Sequence, residues 1–144
     1  MAIWNKPLDL GALNAMGEGT IHDALGIRYT AFDADSLSAT MPVAATTRQP
    51  FGLLHGGASV VLAESLGSMA AYLCCAEGEV PVGIEVNANH LRSVREGLVT
   101  GTAHPVHVGK TLHVWGVEIT DEGGQPICVA RLTVIVRAER APPT

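Results

Sequence analysis

Gln49, His55, Gly56, Glu64 and Ser68 fall within the 20-residue stretch QPFGLLHGGASVVLAESLGS. After His55 this stretch is apolar or small at nearly every position, and Glu64 is its single carboxylate. An unpaired charge is costly to bury, so an acid in what reads as the most buried segment is paired, neutralised or used. On a helix, steps of four put Val60, Glu64 and Ser68 on one face. Gly56 and Gly57 then lie at or just before the helix start, two turns upstream. Unpaired backbone N–H groups and the helix dipole favour a developing oxyanion there. His55 adjoins that point and Gln49 supplies an amide. An acid, an oxyanion-type donor and auxiliary polar groups suit hydrolysis of an activated acyl group.

Each residue alone says less. His55 by itself reads as a capping or satisfied core histidine, Gln49 carries no signal, and Glu64 fits a partly exposed acid at a subunit seam. The specific feature is HGG followed by a carboxylate on an apolar helix. No Ser-His-Asp order and no G-x-S-x-G elbow competes with it. Two further stretches offer cations beside flexible backbone, Asn89-His-Leu-Arg-Ser93 and His107-Val-Gly-Lys-Thr111. Arg92 as a bidentate fork and Lys110 as a point charge suit phosphate, with solvated surface charge as the plain alternative. His90 is either a ligand contact or a packed histidine.

These residues need elements to hold them. Residues 8–16 have the apolar spacing of a short helix, and residues 20–25 form another helical turn ended by Gly26. Ile27–Ala31 and Ser36–Val43 read as strands, the second alternating cleanly, around a turn at Asp33–Asp35. From Gly57 to about Ala76 the pattern is helical and apolar on all sides, as in a core helix. Pro81–Val86 and Leu98–Val106 return to strand, followed by Thr111–Thr120 and Pro126–Arg137 as a hairpin around Asp121–Gly124. A long buried helix among five or six mostly antiparallel strands is an α+β architecture, a curved sheet wrapped around its helix. The whole chain, residues 1–144, reads as one domain, with a frayed tail from about residue 138.

With 144 residues, 47% of them apolar and 16% charged, and a mean hydropathy of +0.26, the chain can bury a real core. A net charge of −5 leaves no basic footprint for nucleic acid. Cys74, Cys75 and Cys128 cannot all pair within one chain and show no zinc spacing, so they read as buried, reduced thiols. No signal sequence opens the chain, and no charge-free run reaches the roughly 18 residues of a membrane span. The expectation is a soluble cytoplasmic protein with no metal, no membrane partner and no nucleic-acid partner.

QPFGLLHGGASVVLAES resembles the signature of the hotdog-fold acyl-CoA thioesterases, in the branch related to 4-hydroxybenzoyl-CoA thioesterase. The resemblance covers nearly the whole chain. LNAMGEGT, GIEVNANHLRSVREG and the W-x-V-E-I hairpin also resemble one subgroup. It holds the 1,4-dihydroxy-2-naphthoyl-CoA thioesterases of menaquinone synthesis and the proofreading thioesterases of enterobactin synthesis.

The resemblance implies a hotdog fold and hydrolysis of an aromatic acyl-CoA, with coenzyme A as part of substrate and product and no separate cofactor. A misacylated aryl or acyl carrier protein is the alternative substrate. Glu64 would be nucleophile or general base, and Gly56 N–H would polarise the thioester carbonyl. Gln49 and His55 would orient the acyl group, and Ser68 would hold water or Glu64. Gly83, His90, Leu91, Arg92, Ser93, His107, Val108, Gly109, Lys110 and Thr111 would contact substrate and coenzyme A. The site would lie between two subunits of a homotetramer built from two dimers. A hotdog dehydratase and a non-catalytic acyl-CoA-binding module are competing readings, and thiol release from an acyl-CoA separates them.

Overall fold

Two short helices, α1 (Leu10–Met16) and α2 (Ile21–Leu25), precede β1 (Arg28–Phe32) and β2 (Leu37–Pro42) in a computed structural model that describes residues 1–143. The long helix α3 (Gly56–Cys74) follows, then β3 (Glu79–His90), β4 (Leu98–Val108), β5 (Leu112–Thr120) and β6 (Pro126–Ala138). Caps set the helix starts. Asp9 accepts a 2.9 Å hydrogen bond from Ala12 N–H, and Thr20 Oγ1 one of 3.2 Å from His22 N–H. Gly26 ends α2 in the left-handed region at φ 70°.

All six strands join in one antiparallel sheet ordered β1-β2-β4-β5-β6-β3. Alternation decides the faces: Leu37, Ala39 and Met41 of β2 point inward, as do His113, Trp115, Val117 and Ile119 of β5. Together they enclose one side of α3, which packs against β2, β3, β4, β5 and β6. Small residues allow the close approach: a Cβ on Gly67 would lie 2.6 Å from Leu132 Cδ2, and one on Gly101 2.7 Å from Leu66 Cδ1. Helix α3 has the length and hydropathy of a membrane span, yet Leu62, Leu66, Ala70 and Leu73 are buried against the sheet, so it is a core helix. The α+β hotdog arrangement expected from the sequence is the one observed.

Three local expectations change. Strand β3 continues past Val86 to His90, paired with β6 as far as Cys128, so Asn89 and His90 lie within the strand rather than after it. His107 and Val108 finish β4 beyond a bulge at Pro105, and the turn is confined to Gly109–Thr111. Most consequentially, α3 is not covered on every side. Glu64 is exposed, and Ser65, Ser68, Met69 and Tyr72 are half-buried, because the sheet wraps only one side of the helix. At the C-terminus, Glu139 N–H donates to Gly78 O at 2.8 Å; of the expected frayed tail, Thr144 lies outside the described residues.

Candidate active site

The start of α3 opens into a cleft of about 390 Å³ that gathers Gln49, Gly56, His90, Leu91, Arg92 and Ser93, with Leu53, Leu54 and Ile127 as apolar lining. His55 is the N-cap of α3, extended at φ −68° and ψ 130°, and its Nδ1 accepts from Gly57 N–H at 2.8 Å. Gly56 is the first helical residue, and its N–H has no acceptor among the described residues. A Cβ on Gly56 would sit 2.9 Å from His90 Nε2, so a side chain there would displace the imidazole that packs over the helix start. Gln49 Oε1 accepts from Phe51 and Leu53 N–H, which fixes the side chain within its loop and leaves the amide NH₂ for the cleft.

Glu64 lines a different cleft, of about 450 Å³, with Ser65, Ser68, Met69 and Tyr72 of α3 and Val80 and Pro81 of β3. Its Oε1 lies 3.3 Å from the position a Cβ on Gly83 would take. The β3–β6 register shifts between Gly83 and Glu85, beside this point of close approach. The premise of a buried acid is therefore corrected: within one chain Glu64 is exposed, at the open cleft between α3 and the start of β3. Two residues of this cleft, His22 and Tyr29, were not singled out from the sequence. Tyr29, on β1, reaches α3 through its hydroxyl on Ser65 O, and His22 follows through its edge-on contact with the Tyr29 ring.

Eight residues separate Gly56 from Glu64, about 12 Å along the helix axis. One chain therefore cannot place the Gly56 N–H and the Glu64 carboxylate on the same carbonyl. The two cationic stretches are also apart. Thr111 O accepts from Val136 N–H, and Val136 pairs with Pro81. Nine residues along β3 separate Pro81 from His90, about 30 Å of strand. Lys110, Gly109 and Val108 line a third cleft of about 380 Å³, beside Glu79 and the buried His113. His107 lies near it: its Nε2 is 2.7 Å from the site of a Cβ on Gly109.

A family profile described as the thioesterase superfamily matches residues 51–128, which include the start of α3, Glu64 and the strands that surround them. The chain belongs to the thioesterase superfamily. The 1,4-dihydroxy-2-naphthoyl-CoA hydrolase of Escherichia coli is 54% identical over 134 residues, 93% of this chain and 98% of that one. The proofreading thioesterase EntH of Cronobacter turicensis is 49% identical over 134 residues, again 93% of this chain and 98% of that one. A crystal structure of a thioesterase from Pseudomonas aeruginosa, carrying a glutamine-to-alanine substitution, superposes with a TM-score of 0.94 at 54% identity. It covers 96% of this chain and 100% of that one. A thioesterase structure from Haemophilus influenzae gives 0.93 at 46% identity, covering 94% and 95%. The protein is a hotdog thioesterase, and a thioester hydrolase has no need of strong leaving-group assistance, since a thiolate is a weak base.

Among the described residues no group of three or more His, Cys, Asp or Glu side chains is arranged to hold a metal ion.

Proposed function

We propose that this thioesterase hydrolyses aromatic acyl-CoA thioesters, of which hydroxybenzoyl-CoA and 1,4-dihydroxy-2-naphthoyl-CoA are examples, and that its active centre forms between two copies of the chain. The observation that carries the reading is the pair of half-sites on α3. An unpartnered N–H sits at Gly56, and a carboxylate lies about 12 Å further along at Glu64.

Strand β3 supplies the route to assembly. It is terminal in the sheet, 12 residues long, and exposes Val82 (40%) and Ile84 (55%) along its free edge. A long apolar edge is a surface that proteins cover. Antiparallel pairing of two β3 strands about a two-fold axis near Val86 covers it and sets His90 of one copy opposite Gly83 of the other. His90 marks the Gly56 end and Gly83 marks Glu64, so the pairing unites the two half-sites twice per dimer. The same pairing brings Arg92 to the end of the assembly that carries Lys110 of the second copy, which suits the phosphates of coenzyme A. Exposed Val106, Leu112 and Val129 on the outer face of the sheet support association of two such dimers into a tetramer.

In that centre the Gly56 N–H and the positive end of α3 polarise the thioester carbonyl. Glu64 of the other copy either attacks the carbonyl, forming an anhydride that water cleaves, or takes a proton from water as the water attacks. In both routes the C–S bond breaks, coenzyme A leaves as thiolate, and the acid is released. Gln49 and His55 orient the acyl group and Ser68 holds the water or Glu64. Covering Glu64 with a second copy also lowers the local dielectric around the developing charge.

The carrier-protein reading has support of its own: the enterobactin proofreading relative is 49% identical, and the pantetheine arm is common to both carriers. The cytoplasm suits both substrates, and the free, buried Cys74, Cys75 and Cys128 fit a reducing compartment. Single-turnover hydrolysis of saturating benzoyl-CoA by folded Glu64→Gln protein tests the mechanism. Turnover is expected to fall ~10³-fold or more, about 4 kcal/mol of barrier, with substrate binding retained. Near-wild-type turnover would show that Glu64 is structural.

A further inference from the structure

The cleft beside Glu64 has a second wall that the mechanism leaves without a task. His22, on α2, lines it together with Tyr29 of β1. Its ring is held in place. Tyr29 meets it edge-on, with ring centroids 5.9 Å apart at 67°. Gly17, the cap of α1, lies directly against it: a Cβ there would be 2.9 Å from His22 Cβ and 3.1 Å from Nδ1. Tyr29 is fixed in turn, its N–H donating to Asn14 Oδ1 at 2.8 Å and its hydroxyl to Ser65 O at 3.3 Å.

The His22 ring nitrogens make no hydrogen bond among the described residues; its backbone N–H donates to Thr20 Oγ1 and its carbonyl accepts from Ile27 N–H. Around the ring the wall is apolar, formed by Met69, Tyr72, Val80 and Pro81. A half-buried imidazole with free ring nitrogens, lining the same cleft as Glu64 among apolar side chains, is a recognition group awaiting a polar partner. Partial burial lowers the His22 pKa by more than neighbouring Asp23 raises it, which favours the neutral ring, one nitrogen donating and one accepting. Such a ring can serve a phenolic hydroxyl in either direction.

We infer that His22 reads a hydroxyl or other polar ring substituent on the acyl group and makes this thioesterase prefer hydroxylated aryl thioesters over unsubstituted ones. The inference rests on the aryl-thioesterase reading, and it adds a specificity-determining residue outside the Glu64 and Gly56 machinery. A site built to hydrogen-bond a substrate hydroxyl discriminates against the analogue that lacks it, because its own polar group is then left unpaired.

The test compares thiol release from mono- and dihydroxybenzoyl-CoA with release from benzoyl-CoA, for unmodified protein, His22→Val and His22→Gln. Unmodified protein is expected to favour a hydroxylated substrate in kcat/KM. His22→Val is expected to lose about tenfold on that substrate while benzoyl-CoA stays within about twofold, and His22→Gln to recover part of the loss. The benzoyl-CoA rate reports that each variant is folded. Equal losses on both substrates, or no loss on either, would overturn the role of His22 while leaving the aryl-thioesterase reading intact. Failure of unmodified protein to hydrolyse any aryl thioester would overturn that reading, and the inference with it.

Discussion

Glu64 Oε1 rests 3.3 Å from the point where a side chain at Gly83 would begin. The register of β3 against β6 shifts just after this point, between Gly83 and Glu85. A methyl group at that distance forces the carboxylate or the β3 backbone to give by a few tenths of an ångström. Misplacement on this scale at a reacting group is costly.

Gly83→Ala is accordingly expected to lower kcat by roughly tenfold while the fold persists, and Gly83→Val to lower it further. Steady-state kinetics beside circular dichroism check this. Full activity in Gly83→Val would show that the Glu64–Gly83 contact has no bearing on the reaction.

The β3 edge makes a separate prediction. Ile84 is 55% exposed on the one sheet edge proposed to pair between copies. Ile84→Arg puts a charge into that seam, where two-fold symmetry brings the two copies of the new charge close together. Sedimentation is expected to shift toward the monomer, with activity falling in step. An active monomer would contradict the shared centre.

The thiols give a third. Cys74, Cys75 and Cys128 are buried, and burial raises all three pKa values, that of Cys74 to about 11. At pH 8 the Cys74 thiolate is then roughly one part in a thousand, and the thiolate is the reactive form. Iodoacetamide at pH 8 is expected to leave the native protein unmodified over an hour and to label three sites after unfolding, read by intact mass. Rapid labelling of the native protein would contradict the packing of the α3 C-terminus.

Much of this arrangement was legible in the chain. Alternation at Leu37–Met41 marked β2, because one of its faces is buried and the other is not, and β-branched, apolar runs around the Asp121–Gly124 turn marked the hairpin of β5 and β6. Gly26 ended α2 as expected, since its φ of 70° suits glycine. Local pattern failed where the deciding partner is remote. The Asn87–His90 end of β3 is polar and looks like a loop, yet β6 pairs with it along its full length. Glu64 looked buried because its neighbours in sequence are apolar, whereas exposure depends on which side of α3 the sheet wraps. His22 was silent for the same reason: the α1–α2 corner carries it to the Glu64 cleft through contacts with Tyr29 and Gly17.

The central claim is that one catalytic centre takes its N–H from one chain and its carboxylate from another. Gly56→Pro removes that N–H at the first helical position, where the extended His55 suits a following proline; its ring also displaces the His90 imidazole, which belongs to the same half-site. Glu64→Gln removes the carboxylate. Each variant alone is expected to be nearly inactive on benzoyl-CoA. Co-expressed in equal amounts, half of randomly paired dimers are mixed, and each mixed dimer carries one centre with both defects and one with neither. The mixture is therefore expected to recover roughly a quarter of wild-type activity. A mixture as inactive as its components would contradict the account and return both groups to a single chain.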